Sequence, residues 1–141
     1  MMQSTDKPLS HESISNVYDS ILIVDDEYDI IKVFKRGLEY MGFRVSGFTE
    51  PASALEHFQI NHEKYGLIIS DFRMPGMNGF EFIKKIKEIK PEIKALLMTS
   101  FDITDAEFEW LLPKVKIEGL IQKPISLANL FSIVSRYVFS K

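Results

Sequence analysis

The chain has 141 residues, of which 45% are hydrophobic and 26% charged, with a formal net charge of −3 at pH 7. This size fits one globular domain, and the slightly acidic balance gives no strong attraction to nucleic acid or anionic lipid. The absence of cysteine excludes disulfides and thiolate chemistry and suits a cytoplasmic location. No apolar run approaches the ~18–20 residues that span a bilayer, so we expect neither nucleic acid nor membrane as a partner.

The N-terminal residues 1–19 are polar and show no sustained hydrophobic period. They predict a flexible arm, which leaves residues 20–141 as the folded domain. The first strand is expected at residues 21–24, a short β-branched run typical of a strand buried on both faces. Apolar residues then recur at helical spacing from Ile30 to Met41, and Gly42 ends that helix.

The alternation of buried strand and amphipathic helix continues along the rest of the chain. Later strands are expected at residues 44–48, 67–69, 93–98 and 119–122. Later helices are expected from Pro51, at residues 82–89, at residues 103–112 before Pro113, and after the capping residue Ser126. Five strands alternating with five helices predict an α/β fold, a doubly wound (βα)5 three-layer sandwich with a five-stranded parallel sheet.

Polar residues follow four of these strands at the point where each strand ends. In open α/β sheets the ligand site lies beyond the carboxyl ends of the strands, so we expect these side chains to lie together. Each of them alone could be an ordinary solvated loop or strand-end residue. Together they form a complementary set of carboxylates, a hydroxyl and an ammonium, which are Asp25, Asp26, Glu27, Asp71, Thr99 and Lys123.

The chemistry of this set indicates a phosphoryl-accepting site that uses a hard cation. Close carboxylates resist joint ionisation unless a cation joins them, and Mg²⁺ prefers a few carboxylates plus water. A carboxylate brought next to a phosphoryl group can attack it as a nucleophile. Lys123 and Thr99 could then stabilise charge on the phosphoryl oxygens.

Four motifs give the chain a family resemblance from Ser20 to Phe139. They are ILIVDDE at 21–27, LIISDFRMPGMNG at 67–79, LLMTS at 96–100 and QKP at 122–124. In this order and spacing they resemble the receiver domains of two-component response regulators. Because no output domain follows Lys141, we expect a stand-alone receiver. The resemblance implies the flavodoxin-like version of the doubly wound fold. It also implies a signalling protein that catalyses only its own phosphotransfer and slow self-dephosphorylation.

The resemblance implies a role for each matching residue. Asp71 is the expected phosphoacceptor, and Asp26 the direct Mg²⁺ ligand, with Asp25 completing the acidic pocket. The backbone carbonyl of Arg73 is a further expected metal ligand. The Thr99 hydroxyl is the expected switch residue that moves to meet the phosphoryl group. Lys123 resembles the lysine that the family carries, followed by a family-typical cis bond to Pro124.

The resemblance also implies partners. The phosphoryl donor would be a sensor histidine kinase or a phosphotransfer protein, and an output protein would bind through residues 101–139. The family usually has an aromatic residue three positions before the lysine, where this chain has Leu120. We therefore expect another element, within residues 101–119 and including Trp110, to report phosphorylation.

Three other functions fit the sequence less well. A phosphatase with an aspartate nucleophile needs a second carboxylate two residues later, where this chain has Arg73. A flavodoxin-like cofactor binder needs a phosphate-binding loop after the first strand, where carboxylates would repel phosphate. A receiver relic that only binds partners would not need the complete set of polar residues. The three histidines lack metal-ligand spacing, and we interpret His11, His57 and His62 as solvated side chains.

Overall fold

A computed structural model of the chain describes residues 20–100, 106, 109 and 115–138. The predicted arm at residues 1–19 lies outside the described residues. Of the predicted helix at 103–112, only Ala106 and Glu109 are described, and both are exposed. Trp110 and Pro113 are likewise outside the described part, so the expectations for that segment stay predictions.

The described strands form one parallel sheet. In chain order they are β1 (Ser20–Val24), β2 (Arg44–Phe48), β3 (Leu67–Asp71), β4 (Lys94–Thr99) and β5 (Gly119–Gln122). Their spatial order is β2-β1-β3-β4-β5, the order of flavodoxin-like sheets. The sequence prediction of five parallel strands is confirmed, with bounds that differ by at most two residues.

Four α-helices occupy the described ranges. They are α1 (Tyr28–Tyr40), α2 (Pro51–Asn61), α3 (Gly79–Ile89) and α4 (Leu127–Val138). Gly42 follows α1 with a φ of 103°, and the Ser126 hydroxyl accepts a hydrogen bond from the Asn129 N–H at the start of α4, as predicted. None of these helices combines the length and apolarity needed to cross a bilayer.

The sheet lies between two hydrophobic cores, because successive side chains of a strand point to opposite faces. One core joins α1 and α4 to the sheet through residues such as Phe34, Val134 and Ile23. The other joins α2 and α3 to the opposite face through residues such as Phe58 and Ile83. The three-layer sandwich is therefore observed, and its buried strands are apolar on both faces.

Helix α3 begins earlier than the hydrophobic stripe suggested. The Asn78 side chain accepts a hydrogen bond from the Glu81 N–H at 2.9 Å, and the Glu81 carboxylate accepts one from the Asn78 N–H at 3.0 Å. This capping box satisfies free donors of the first turn and starts the helix at Gly79. The loop after β3 therefore ends at Asn78, and α3 begins at the next residue.

Candidate functional site

The polar strand ends meet at the carboxyl edge of the sheet. Asp25 follows β1, Asp71 is the last residue of β3, and Thr99 is the last residue of β4. All three are buried, with exposed fractions of 0% for Asp25 and 7% each for Asp71 and Thr99. Lys123 follows β5 and reaches across the edge of the sheet to the residues of β1 and β3. The parallel topology therefore brings Asp25, Asp71 and Lys123 together at one edge of the sheet.

The Lys123 ammonium is the centre of an ion-pair network. Its Nζ lies 3.1 Å from Asp25 Oδ2, 3.3 Å from Asp71 Oδ1 and 3.3 Å from Glu27 Oε1. The backbone supports this position, because the Lys123 N–H donates to the Thr99 carbonyl at 2.7 Å. One cation is thus shared among carboxylates that come from two different strand ends.

Three carboxylates form a pocket that fits a metal ion. Asp25, Asp26 and Asp71 each offer an oxygen, and these atoms lie within 4.8 Å of one another. The donors are all oxygens, which hard divalent cations such as Mg²⁺ prefer. Asp26 is exposed while Asp25 and Asp71 are buried, so the pocket is open to solvent on the Asp26 side. The residues present therefore fit Mg²⁺.

Burial and mutual repulsion shift the acidity of the site. Burial and the neighbouring Asp25 carboxylate raise the pKa of Asp71 to about 6, although Lys123 opposes that rise. Burial also raises the pKa of Asp25, although the Glu27 N–H and Lys123 oppose that rise. Burial alone would lower the pKa of Lys123, but the two aspartates raise it well above its usual value. The pocket thus holds more negative charge than its lysine balances.

We expect this excess charge to make the metal-free protein less stable as pH rises. Asp71 ionises near 3.8 when unfolded and near 6 when folded, so the folded state binds more protons between these values. The free energy of unfolding should therefore fall from about pH 4 to pH 6 and then level off. Asp71→Asn should remove this component and leave the variant ~2 kcal/mol more stable than wild type at pH 7.5.

Urea unfolding at several pH values, with chelator present, measures this difference. The wild type and Asp71→Asn should have similar stability below about pH 4, diverge between pH 4 and pH 6, and differ by a nearly constant amount above that range. Added Mg²⁺ should stabilise the wild type more than the variant, because it neutralises the ionised pocket. A difference that is constant across the pH range would contradict the raised pKa of Asp71.

Three other residues named from the sequence have defined places. Thr99 lies in β4, the neighbour of β3, where it pairs in register with Gln122 of β5. Arg73 lies in the loop after β3, and its guanidinium stacks 5.1 Å from the Phe72 ring centroid. Leu120 is 49% exposed, so its side chain does not fill the space behind the site. The metal-ligand role of the Arg73 carbonyl stays a prediction.

Two residues contribute to the site without having been given an individual role from the sequence. Glu27 is the third carboxylate on Lys123, although its side chain is largely exposed. The acidic run at 25–27 indicated a cluster of carboxylates. Nothing in the sequence distinguished a glutamate that pairs with Lys123 from one that is only solvated. Gly79 packs behind Asp71, and its N–H donates to the Phe72 carbonyl at 2.8 Å. From the sequence alone, a glycine at this position could equally have belonged to an ordinary turn.

Gly79→Ala should destabilise the protein because a methyl group has no space there. A Cβ at Gly79 would lie 2.4 Å from the Asp71 carbonyl oxygen and 3.1 Å from the Phe72 Cα, which are backbone atoms. We expect a cost of about 1–3 kcal/mol in urea unfolding. Gly37→Ala is the matched control, because its Cβ would meet a terminal methyl carbon of Leu127 at 2.6 Å, and that partly exposed side chain can move away. Equal costs would show that the backbone contact at Gly79 is unimportant.

Comparison with known proteins gives a consistent result. A family model described as the response regulator receiver domain matches residues 21–135. The phosphoglycerate transport system transcriptional regulatory protein PgtA of Salmonella typhimurium is 30% identical over 115 residues, which are 82% of this chain and 27% of that protein. The response regulator receiver protein CpdR of Brucella abortus is 35% identical over 81 residues, which are 57% of this chain and 66% of that protein.

Solved structures agree with these relatives. A response regulator receiver domain protein from Clostridium thermocellum has a TM-score of 0.76 at 25% identity, covering 85% of this chain and 94% of that one. The chemotaxis protein CheY4 of Vibrio cholerae has a TM-score of 0.74 at 25% identity, covering 84% and 97%.

The extent of the matches defines what they establish. The chain spans only 18% to 27% of the length of three regulators that it matches, so the activities of those whole proteins do not transfer to it. The family model, in contrast, covers most of the chain. The chain therefore belongs to the response regulator receiver domain family of two-component systems, a family of signalling domains rather than metabolic enzymes.

Proposed function

We propose that this protein accepts a phosphoryl group on Asp71 in a Mg²⁺-dependent reaction and switches conformation to control a protein partner. The observation that carries the proposal is the shared ion-pair network, in which Lys123 contacts both Asp25 and Asp71 beside a three-carboxylate pocket. The donor is a histidine kinase or a phosphotransfer protein. The receiver unit occupies residues 20–141 after an arm at 1–19 and acts in the cytoplasm, where ATP-dependent kinases work.

The acidic pocket holds the metal in this proposal. Asp26 binds Mg²⁺ directly, Asp25 and Asp71 complete the pocket, and the Arg73 carbonyl is a further ligand. Bound Mg²⁺ supplies positive charge that offsets the carboxylates and the phosphoryl oxygens. The electrostatics of the pocket support this assignment, because burial and the Asp25 carboxylate raise the pKa of Asp71 and a bound cation would favour its ionised form.

The proposed transfer forms one bond and breaks one bond. A carboxylate oxygen of Asp71 attacks the phosphorus atom of a phosphohistidine donor, and the bond between phosphorus and the imidazole nitrogen breaks. The nitrogen leaves with the electron pair of that bond, so the donor histidine returns to its unphosphorylated form. Lys123, already 3.3 Å from Asp71, moves its contact to a phosphoryl oxygen, and the Thr99 hydroxyl donates to another.

The proposed switch starts from these contacts. Phosphorylation draws Lys123 and Thr99 toward the phosphoryl group, which biases the packing of the segment between them. Position 120 is leucine, so no aromatic side chain is present there to turn inward, and the Leu120 side chain is half exposed. The output face lies within residues 101–139, where β5 and α4 form its described part.

Intact-mass spectrometry after incubation with acetyl phosphate and Mg²⁺ tests the proposal. We expect one added phosphoryl group, which peptide mapping assigns to Asp71. Chelator should prevent the addition. Addition at a different residue, or equal addition in the presence of chelator, would refute the proposed function.

A further inference from the structure

An apolar groove between α1 and α4 is not part of the phosphoacceptor site. Its volume is about 710 Å³, and neither Asp71 nor Thr99 lines it. Val33 and Tyr40 on α1 are 51% and 87% exposed, and Leu127 on α4 is 40% exposed. Large apolar side chains grouped along one groove are typical of a surface that binds another protein.

The groove exists because Gly37 lets α4 approach α1. A Cβ at Gly37 would lie 2.6 Å from a methyl carbon of Leu127, so any larger residue would displace that side chain. Leu127 therefore rests against the helix backbone, with Phe131 one turn further along α4. Leu127 and Phe131 form the apolar floor of the groove, beside the outer face of α1.

Unpaired charges on α1 border this floor. Asp29, Lys32 and Arg36 line the groove and are exposed, and no ion pair engages them within the described ranges. In contrast, Lys35 and Glu39 pair with each other at 2.7 Å across one turn of the same helix. The charges at the groove are thus available to a partner.

We propose that this groove is the interface of a symmetric dimer of the chain, with two copies of α1 packed antiparallel. Asp29 and Arg36 lie two helical turns apart, on either side of Val33. A two-fold axis near Val33 places Asp29 of each copy opposite Arg36 of the other, so the same ion pair forms twice. Val33 and the apolar floor lie between these pairs.

The arrangement of charges favours a second copy over an unrelated helix. An acidic partner helix would satisfy Lys32 and Arg36 but would repel Asp29 at the same edge. A second copy pairs with both the acidic and the basic residue, because each α1 presents Arg36 to the Asp29 of the other copy and Asp29 to its Arg36. Lys32 lies near the axis, where its long stem can cover apolar surface while its ammonium reaches solvent. The phosphoacceptor edge remains accessible, since Asp71 is outside the groove.

Sedimentation equilibrium on the full chain tests the dimer. The mass of wild type should rise from the monomer value of 16.3 kDa toward twice that value as concentration increases. Asp29→Arg and Arg36→Glu should each weaken self-association by roughly tenfold or more, because like charges then face each other twice. Glu56→Arg on α2 and Lys84→Glu on α3 are controls, as exposed residues outside the groove that should leave association unchanged.

Charge exchange between variants makes the test specific. An equimolar mixture of Asp29→Arg and Arg36→Glu chains should dimerise, because one chain then carries arginine at both positions and the other carries carboxylates. The double variant D29R/R36E should also recover self-association. Circular dichroism checks that each variant is folded. A wild type that stays monomeric at millimolar concentration, or single reversals that fail to weaken association, would overturn the proposal, as would a mixture that does not pair.

Discussion

Asp71→Asn should reduce labelling by acetyl phosphate to background, a loss of at least roughly 100-fold. The amide that replaces the carboxylate is a poor nucleophile, while the shape of the side chain is nearly unchanged. Asp71 is the buried carboxylate that lies at the end of a central strand beside both Lys123 and the acidic pocket. Intact-mass spectrometry with Mg²⁺ present measures the loss directly.

Asp29→Asn is the matched control for this experiment. It makes the same chemical change at an exposed position on α1 and should leave labelling unchanged. The pH-dependent stability of Asp71→Asn, measured separately, shows that the variant is folded. Labelling of Asp71→Asn at the wild-type rate would mean that another residue is the phosphoacceptor.

The fold was predictable because its signals are local and repeated. Each central strand is a short apolar run, as at residues 21–24 and 67–69, and turn or capping residues separate it from an amphipathic helix. The site was predictable from the same pattern, since parallel strands place all their carboxyl ends at one edge. The positions of Asp71 and Lys123 follow from topology, although 52 residues separate them in the chain.

Contacts that depend on three-dimensional approach were not predictable. His57 was expected to be solvated, and this was wrong. Its Nε2 lies 2.6 Å from the Tyr65 hydroxyl, which donates to Ser46 on β2, and burial lowers the pKa of His57. The Lys90 ammonium likewise donates to the carbonyls of His62 and Tyr65, which are distant in the chain. The sequence alone predicts neither contact, because the residues that meet lie in different parts of the chain.

Lys123→Ala and Thr99→Ala should separate the conformational response from the chemistry. Each removes one proposed contact to the phosphoryl group at the edge of the sheet, where little apolar surface is lost. For Lys123→Ala, labelling should also slow by roughly 100-fold, because a cation 3.3 Å from Asp71 is lost from the reacting centre. Beryllofluoride, which mimics an acyl phosphate, avoids this slow step and allows the response to be measured by itself.

Amide chemical shifts recorded with Mg²⁺ and beryllofluoride measure that response. In wild type, the shifts should extend from Asp71 into β4, β5 and α4, because Lys123 and Thr99 connect the bound group to these elements. In either variant they should stay close to Asp71, since the bound group no longer holds the strand ends in one arrangement. Lys35→Ala removes a lysine of the surface pair on α1 and should behave as wild type. Shifts of equal extent in all four proteins would contradict the roles of Lys123 and Thr99, and would place the connection to the output face in the loop after β3.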